Sequence, residues 1–444
     1  MLDVIGRLTT RHAWWVLACW AALLAAAVPL LPGPLPWASG TYGPLPAGAS
    51  GAFGTGAVLL TLLVFLRSPA ATLAAVLVAV AADHLSAALV SALGLPPTPG
   101  LFAYGTALGC ATMLIHRFRE RLASGDGPAH AVCTSLEQTG TVIATAGAAW
   151  MAACGALPLG AWTRGLGPAL AVTASVEMLV VLTLLPAALA VLGTRLSWPA
   201  RRRRRTGAPP AAARFGRAVS AHPGTWTAVT AGLIIAMGAS GPVLVPSPLP
   251  VAVVAVAGVL VALVLALVLR SLISPVYLTA GALLVAWASG TAAVRPADQM
   301  SVFMLVLVVN VSTALLVLAR VRETSRTGRD PRTSSALAVK YAAPPAVAAL
   351  LVAGTLIGIV HDPLSGIFLV VGGGALSLVV VPGLTAMLGA RAWWPDVAPD
   401  PAVDGAPRDD GGSSERPIPH SAARNTLDVR EEPPPAGHLG SATQ

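Results

Sequence analysis

Three ionisable side chains stand inside long apolar segments of this chain: Asp83 and His84 in one, Glu177 in another. A charge at the centre of a bilayer costs roughly 2.5–3.5 kcal/mol on insertion scales, so such a group implies a function or a partner. Histidine changes charge near neutral pH and carboxyls carry protons, which is the chemistry of a proton relay. Asp83 lies about ten residues from the outer end of its segment, roughly 15 Å at helical rise. Glu177 lies at about the same depth in its own segment, so the two could meet across a bundle. Asp83 and His84 are neighbours on one helix, about 100° apart, and do not face one another. The same residues also fit a structural polar cluster, with Asp83 or Glu177 neutral or paired across the bundle.

Other polar groups carry weaker signals. Asn310, Ser312 and Thr313 share one apolar segment, with Asn310 and Thr313 on one helix face. They could line a path, and interhelical hydrogen bonding is the commoner use of such residues. Gly372-Gly373-Gly374 lacks the Lys-Ser/Thr of a phosphate loop and suits close helix packing or a hinge. His361-Asp362 has no third ligand nearby in sequence, so no metal site is expected. Cys19, Cys110, Cys133 and Cys154 form no framework and read as small apolar filler. No Ser-His-Asp set or cysteine–histidine cluster occurs, so neither an enzyme nor a cofactor is expected.

The elements that hold these residues follow from composition. Of 444 residues 55% are hydrophobic and only 11% charged, less than half the roughly 25% of an ordinary soluble domain. The net charge of +9 could suggest nucleic acid. The basic residues sit in short runs between long apolar segments, which argues against that partner. Twelve segments reach the roughly 20 residues a helix needs to cross a bilayer. The first, with Arg7 and Arg11 ahead of it, reads as a retained helix and not a cleaved signal. With the N-terminus inside, 21 of the 23 basic residues before position 390 fall on the cytoplasmic side, with only Arg164 and Arg295 outside. Both termini are thus predicted to be cytoplasmic, in a multi-pass protein of the cell membrane.

The segments repeat. Leu66-Arg67-Ser68 returns as Leu269-Arg270-Ser271, and Arg117-Phe118-Arg119-Glu120 as Arg320-Val321-Arg322-Glu323, both shifted by 203. Pro186, Gly193, Arg195 and Trp198 return as Pro382, Gly389, Arg391 and Trp394, shifted by 196. The expected architecture is an all-α membrane protein of twelve transmembrane helices in two parallel six-helix repeats, a transporter arrangement. Residues 1–194 form the first half, 195–221 a basic linker, 222–389 the second half and 390–444 a disordered tail. The tail, rich in Pro, Gly, Ser and acids, cannot bury enough apolar surface to order itself. The polar stretches 117–137 and 320–341 read as solvated or interfacial helices. The run Arg201–Arg205 reads as a topology anchor, with lipid contact as the alternative.

These markers, with Arg11-His12-Ala13-Trp14-Trp15-Val16-Leu17 near the start, resemble the MMPL family (mycobacterial membrane protein large) of the resistance–nodulation–division superfamily. The resemblance covers about residues 5–395. It implies proton-driven export of lipids or other hydrophobic molecules. It also implies a large extracytoplasmic porter domain after spans one and seven, where this chain has only about Pro32–Ser50 and Gly241–Pro250; neither can fold as a domain. The family's Asp-Tyr pairs in spans four and ten map to Gly109-Cys110 and Ser312-Thr313, and an Asp and Arg of span twelve map to Gly372 and Ser377. The inherited relay is therefore missing. Expected partners are membrane lipids, a hydrophobic substrate, and a partner protein or second copy. A scaffold or sensor that kept the fold and lost the relay is the alternative to transport.

Overall fold

The protein is described by a computed structural model for residues 2–30, 49–98, 101–159, 165–197, 210–244, 251–292, 296–326 and 329–395. Arg164, Arg201–Arg205, Arg295, most of the two shortened connections and residues 396–444 lie outside these. Among the described residues the secondary structure is helical with no strand. The helices run as α1 (Leu2–Arg11), α2 (Ala13–Leu30), α3 (Ala49–Leu66), α4 (Pro69–Ala92), α5 (Leu101–Ala123), α6 (Pro128–Leu159) and α7 (Leu166–Leu196). They continue as α8 (Pro210–Ala221), α9 (Pro223–Leu244), α10 (Val251–Leu269), α11 (Ile273–Ala292), α12 (Pro296–Ser325), α13 (Pro331–Val360) and α14 (Pro363–Trp393).

Nine of the described helices are long and apolar enough to cross a membrane: α2, α4, α6, α7 and α10 to α14. Their outer faces are apolar as well. On α10, Val259, Leu263 and Leu267 all point outward, more than half exposed. Water would punish that row, and lipid does not. The bundle interior is a continuous apolar cluster drawing on residues from Trp20 to Val381. At its centre is α12, with 94% of its apolar window buried. It packs against α11, α13, α14 and α6, while α5 packs against α4, α7 and α13.

The duplicated sequence markers occupy matching local structures. Leu66 and Leu269 end helices, and the next residues, Arg67 and Arg270, take φ of 48° and 50°. The following serine ties the turn to the distant end of its own half. Ser68 donates to the Leu196 carbonyl (2.7 Å) and Ser271 to the Ala392 carbonyl (2.8 Å). The left-handed turn costs a non-glycine residue roughly 1 kcal/mol. An arginine side chain at each turn offsets this by capping an orphan helix carbonyl. Arg119 Nη1 donates to Leu66 O, and Arg322 Nη1 to Leu269 O at 2.9 Å.

Two features refine the expectations. The polar stretch 117–137 is broken: α5 runs on to Ala123, and α6 starts at Pro128 and continues without a stop into the apolar helix. In the second half, α12 runs to Ser325 and α13 starts at Pro331, N-capped by Asp330. The short helices α1 and α8 cover these restarts. Gly6 of α1 lies on Cys133, and Gly216 of α8 lies on the backbone of Ala336, where a Cβ would clash. Second, α13 and α14 cross with backbones nearly touching. Gly354, Gly358 and Gly366 meet there, and any Cβ on Gly366 would run into the Gly354 carbonyl. Gly354 and Gly358 form a G-x-x-x-G pair, the spacing that lets membrane helices approach this closely.

Candidate functional site

Glu177 is buried on α7, 5% exposed. Its carboxylate accepts from the Thr106 hydroxyl of α5, which also bonds to Phe102 O within its own helix. One helical turn along α5 is Cys110, within electrostatic reach of Glu177. A cavity of about 10 Å³ opens here, lined by Cys110, Trp150, Glu177 and Ser312 among apolar neighbours. That is the volume one water molecule requires. Trp150 is 3% exposed, and its indole N–H meets no acceptor among the described residues. Just after Glu177, α7 opens into a π-helical turn at Val180–Leu184. Such turns displace the backbone register and recur at functional sites.

Asp83 and His84 are also buried, 8% and 5% exposed. Asp83 lies within electrostatic reach of Tyr104 on α5. The two carboxyls therefore flank α5: Asp83 near Tyr104, Glu177 on Thr106. The sequence marked α5 only for what it lacks at Gly109-Cys110, and α4 and α7 also pack directly on one another.

The three polar residues of α12 divide between two faces. Ser312 turns toward the Glu177 cavity. Thr313 and Asn310 turn toward α14. Thr313 and Ser377 hydroxyls are 3.0 Å apart, and Ser377 belongs to a second π-helical turn, Leu376–Val380. Asn310 is fully buried, and neither amide atom has a hydrogen-bond partner among the described residues. Its carbonyl oxygen occupies the space that a Cβ on Gly373 would need. The glycine triplet thus serves close packing at two positions: Gly372 also abuts Val285 and Met237. His361-Asp362 has a local role, since Asp362 caps α14 by accepting from the Leu364 and Ser365 amides at 2.9 and 3.2 Å.

At the arginine-rich end of the bundle the two Arg-x-Arg-Glu motifs interlock. Arg117 pairs with Glu120 (2.9 Å) and Glu323 (3.4 Å); Arg320 pairs with Glu120 (3.0 Å) and Glu323 (3.6 Å). Gln138 of α6 accepts from Arg117 and Arg121. The motifs showed as duplicated markers in the sequence, but their mutual pairing did not, because the partners lie 206 and 200 residues apart.

Residues 46–231 match the model of the MMPL family. The putative membrane protein ActII-3 of Streptomyces coelicolor is 36% identical over 99 residues, which are 22% of this chain and only 14% of that protein. Among solved structures, SecDF from Thermus thermophilus, a translocon-associated membrane protein, superposes with a TM-score of 0.54 at 15% identity. That superposition covers 76% of this chain and 61% of SecDF, and shows a shared fold. The α3–α8 region, with its Arg-x-Arg-Glu helix end, lies inside the matched residues, so that part of the chain is similar to the MMPL family.

Proposed function

We propose that this multi-pass, transporter-like protein moves a lipid or hydrophobic small molecule and couples that movement to protons through Glu177. The observation that carries the reading is the place of the carboxyl. It is buried in the bundle, held by Thr106, and shares a water-sized cavity with Cys110 and Ser312. Those two positions are among the four where the family resemblance expects relay residues. A proton carrier is therefore supplied from α7, on the opposite wall of the same space. Asp83, beside Tyr104, is the second candidate carrier, and His84 stands next to it on α4.

The surrounding architecture belongs to the same proposal. Besides the nine long apolar helices, α5 and the shorter apolar stretches Gly56–Leu66 and Pro223–Met237 complete twelve spans. The paired turns at Arg67 and Arg270, the paired serine ties and the π-helical turns at Val180–Leu184 and Leu376–Val380 support two parallel halves, although a third such turn, Leu136–Gly140, belongs to the first half alone among the described residues. Both termini are cytoplasmic in this reading. With short connections in place of porter domains, substrate leaves into the outer leaflet or passes to a partner protein.

The scaffold or sensor reading has one observation in its favour. Thr313, at a relay position, and Ser377, where the resemblance expects an arginine, satisfy each other with a pair of hydroxyls, groups that do not ionise near neutral pH. Proteoliposomes separate the two readings. An imposed proton gradient should drive a flux in the full chain, read with a pH-sensitive dye. Glu177→Gln should abolish it and Asp83→Asn should reduce it. Coupled flux left intact by both variants ends the relay proposal, and no flux in any protein favours the scaffold.

A further inference from the structure

The arginine-rich end of the bundle holds a cleft of about 350 Å³ between the ends of α5, α12 and α13. Four arginines line it, Arg117, Arg121, Arg320 and Arg329, against two glutamates, Glu120 and Glu323, a net charge of +2. The glutamates are already shared between Arg117 and Arg320. Among the described residues Arg121 has a neutral partner, Gln138 at 3.1 Å, and its Nε–H is shielded and meets no acceptor. A shielded guanidinium N–H without an acceptor calls for one. Arg329 reaches the cleft from the loop ahead of α13 and is exposed. Ser124, Thr324 and Tyr341 add hydroxyls to the walls. Lys340 sits 4.9 Å above the Tyr341 ring and adds positive charge beside it.

We infer that this cleft binds a phosphate group, with Arg121 and Arg329 as its principal ligands. The guanidinium fork matches phosphate oxygens in charge and geometry. The volume, at the lower end of ordinary ligand sites, suits a phosphoglycerol headgroup or free phosphate. The cleft opens where a charged headgroup would lie if the arginines mark the membrane edge. Binding there would bridge the two motifs, because α5 supplies Arg121 and the loop between α12 and α13 supplies Arg329. The inference does not depend on proton coupling at Glu177.

The test uses the full chain in neutral detergent and reads the thermal unfolding midpoint, since a ligand of the folded state raises it. Phosphatidylglycerol in mixed micelles, inorganic phosphate and a phosphate-free diglucosyl diacylglycerol are the three probes. The expected result is a concentration-dependent rise with a phosphate-bearing probe and none with the glycolipid. A rise with phosphatidylglycerol alone identifies a headgroup, and an equal rise with inorganic phosphate identifies the free anion. Arg121→Gln with Arg329→Gln should weaken apparent affinity at least about tenfold, a single charge-assisted bond being worth roughly that factor. Ser124→Trp, at an exposed edge of the cleft, should block binding with every charge kept. No rise with either phosphate probe overturns the inference, and so does an equal rise in wild type and in folded variants.

Discussion

The ring of Arg117, Glu120, Arg320 and Glu323 offers a quantitative test, because sequence and structure rank its two glutamates differently. By sequence, Glu120 and Glu323 hold the same place in duplicate motifs, and neutralising either should cost the same. In the structure Glu120 is 30% exposed and receives the two shortest bonds of the ring, 2.9 Å from Arg117 and 3.0 Å from Arg320. Glu323 is 45% exposed and its contacts are 3.4 and 3.6 Å. Breaking a buried pair costs roughly 3–5 kcal/mol and an exposed one about 0.2–1 kcal/mol. Glu120 stands between these limits, so Glu120→Gln should cost about 2 kcal/mol, since one amide oxygen cannot serve two guanidiniums. Glu323→Gln should cost less than about 1 kcal/mol, because its pairs are longer and more solvated.

The assay is equilibrium unfolding of the full chain in mixed micelles, driven by a rising fraction of anionic detergent. A double-mutant cycle of Glu120→Gln with Arg320→Gln should return a coupling of about 1–2 kcal/mol between motifs 200 residues apart. Equal costs for the two glutamates, or a coupling indistinguishable from zero, would refute the unequal ring.

Two further outcomes follow from the backbone. Gly366→Ala should lower stability by more than the roughly 1–3 kcal/mol of side-chain overpacking, because backbone atoms of Gly354 and Gly358 stand in the way and cannot rotate aside. Gly232→Ala, with nothing within 4 Å, is the matched control and should be neutral or stabilising; melting curves that rank the two the other way would undo the packing argument. Asp330 concerns pH. Its carboxyl is held below the usual carboxylate range by the Thr333 side chain and amide. A depressed folded value means that its contribution is present above the unfolded value of about 3.9 and fades as pH falls through the folded one. The difference in melting midpoint between wild type and Asp330→Ala should therefore shrink from neutral pH toward pH 3; a constant gap would count against the cap.

The membrane class and the helices that carry the candidate groups were legible because they rest on local signals, apolar length and the places of arginine. Asp83, expected about ten residues from the end of its segment, lies nine before the end of α4 at Ala92, and Glu177 lies eleven after the start of α7 at Leu166. Partners were not legible where they lie far along the chain. Leu-Arg-Ser read as a repeat marker, yet its serine bonds a carbonyl 128 residues away in one half and 121 in the other. Thr106 gave no signal as the partner of Glu177, since hydroxyls in apolar helices usually bond back to their own helix, and it does that too. The Gly354–Gly358 pair was a local signal that could have been read. Helix α1 offered one as well, with Gly6 and Thr9 buried and Arg7 and Leu8 exposed.

The sequence markers also align Glu177 with a position that has no side chain. Shifted by 196, Glu177 falls on Gly373. In the first half, the α7 position projects a carboxyl toward α5, and α5 answers with a small hydroxyl. In the second, the equivalent α14 position has no side chain, and α12 fills the space with the Asn310 amide. The polar group has moved to the facing helix, and the helix without it has become the close-packed partner. Both sites meet α12, through Ser312 on one face and Asn310 and Thr313 on the other. Adjacent positions on a helix differ by about 100°, so a small rotation of α12 moves both faces at once. Such a rotation would trade the Thr313–Ser377 pair and the Gly373 contact against the walls of the Glu177 cavity. The Glu177 cavity and the Asn310–Gly373 contact are thereby mechanically tied through one helix, so a shift of α12 cannot change one without the other.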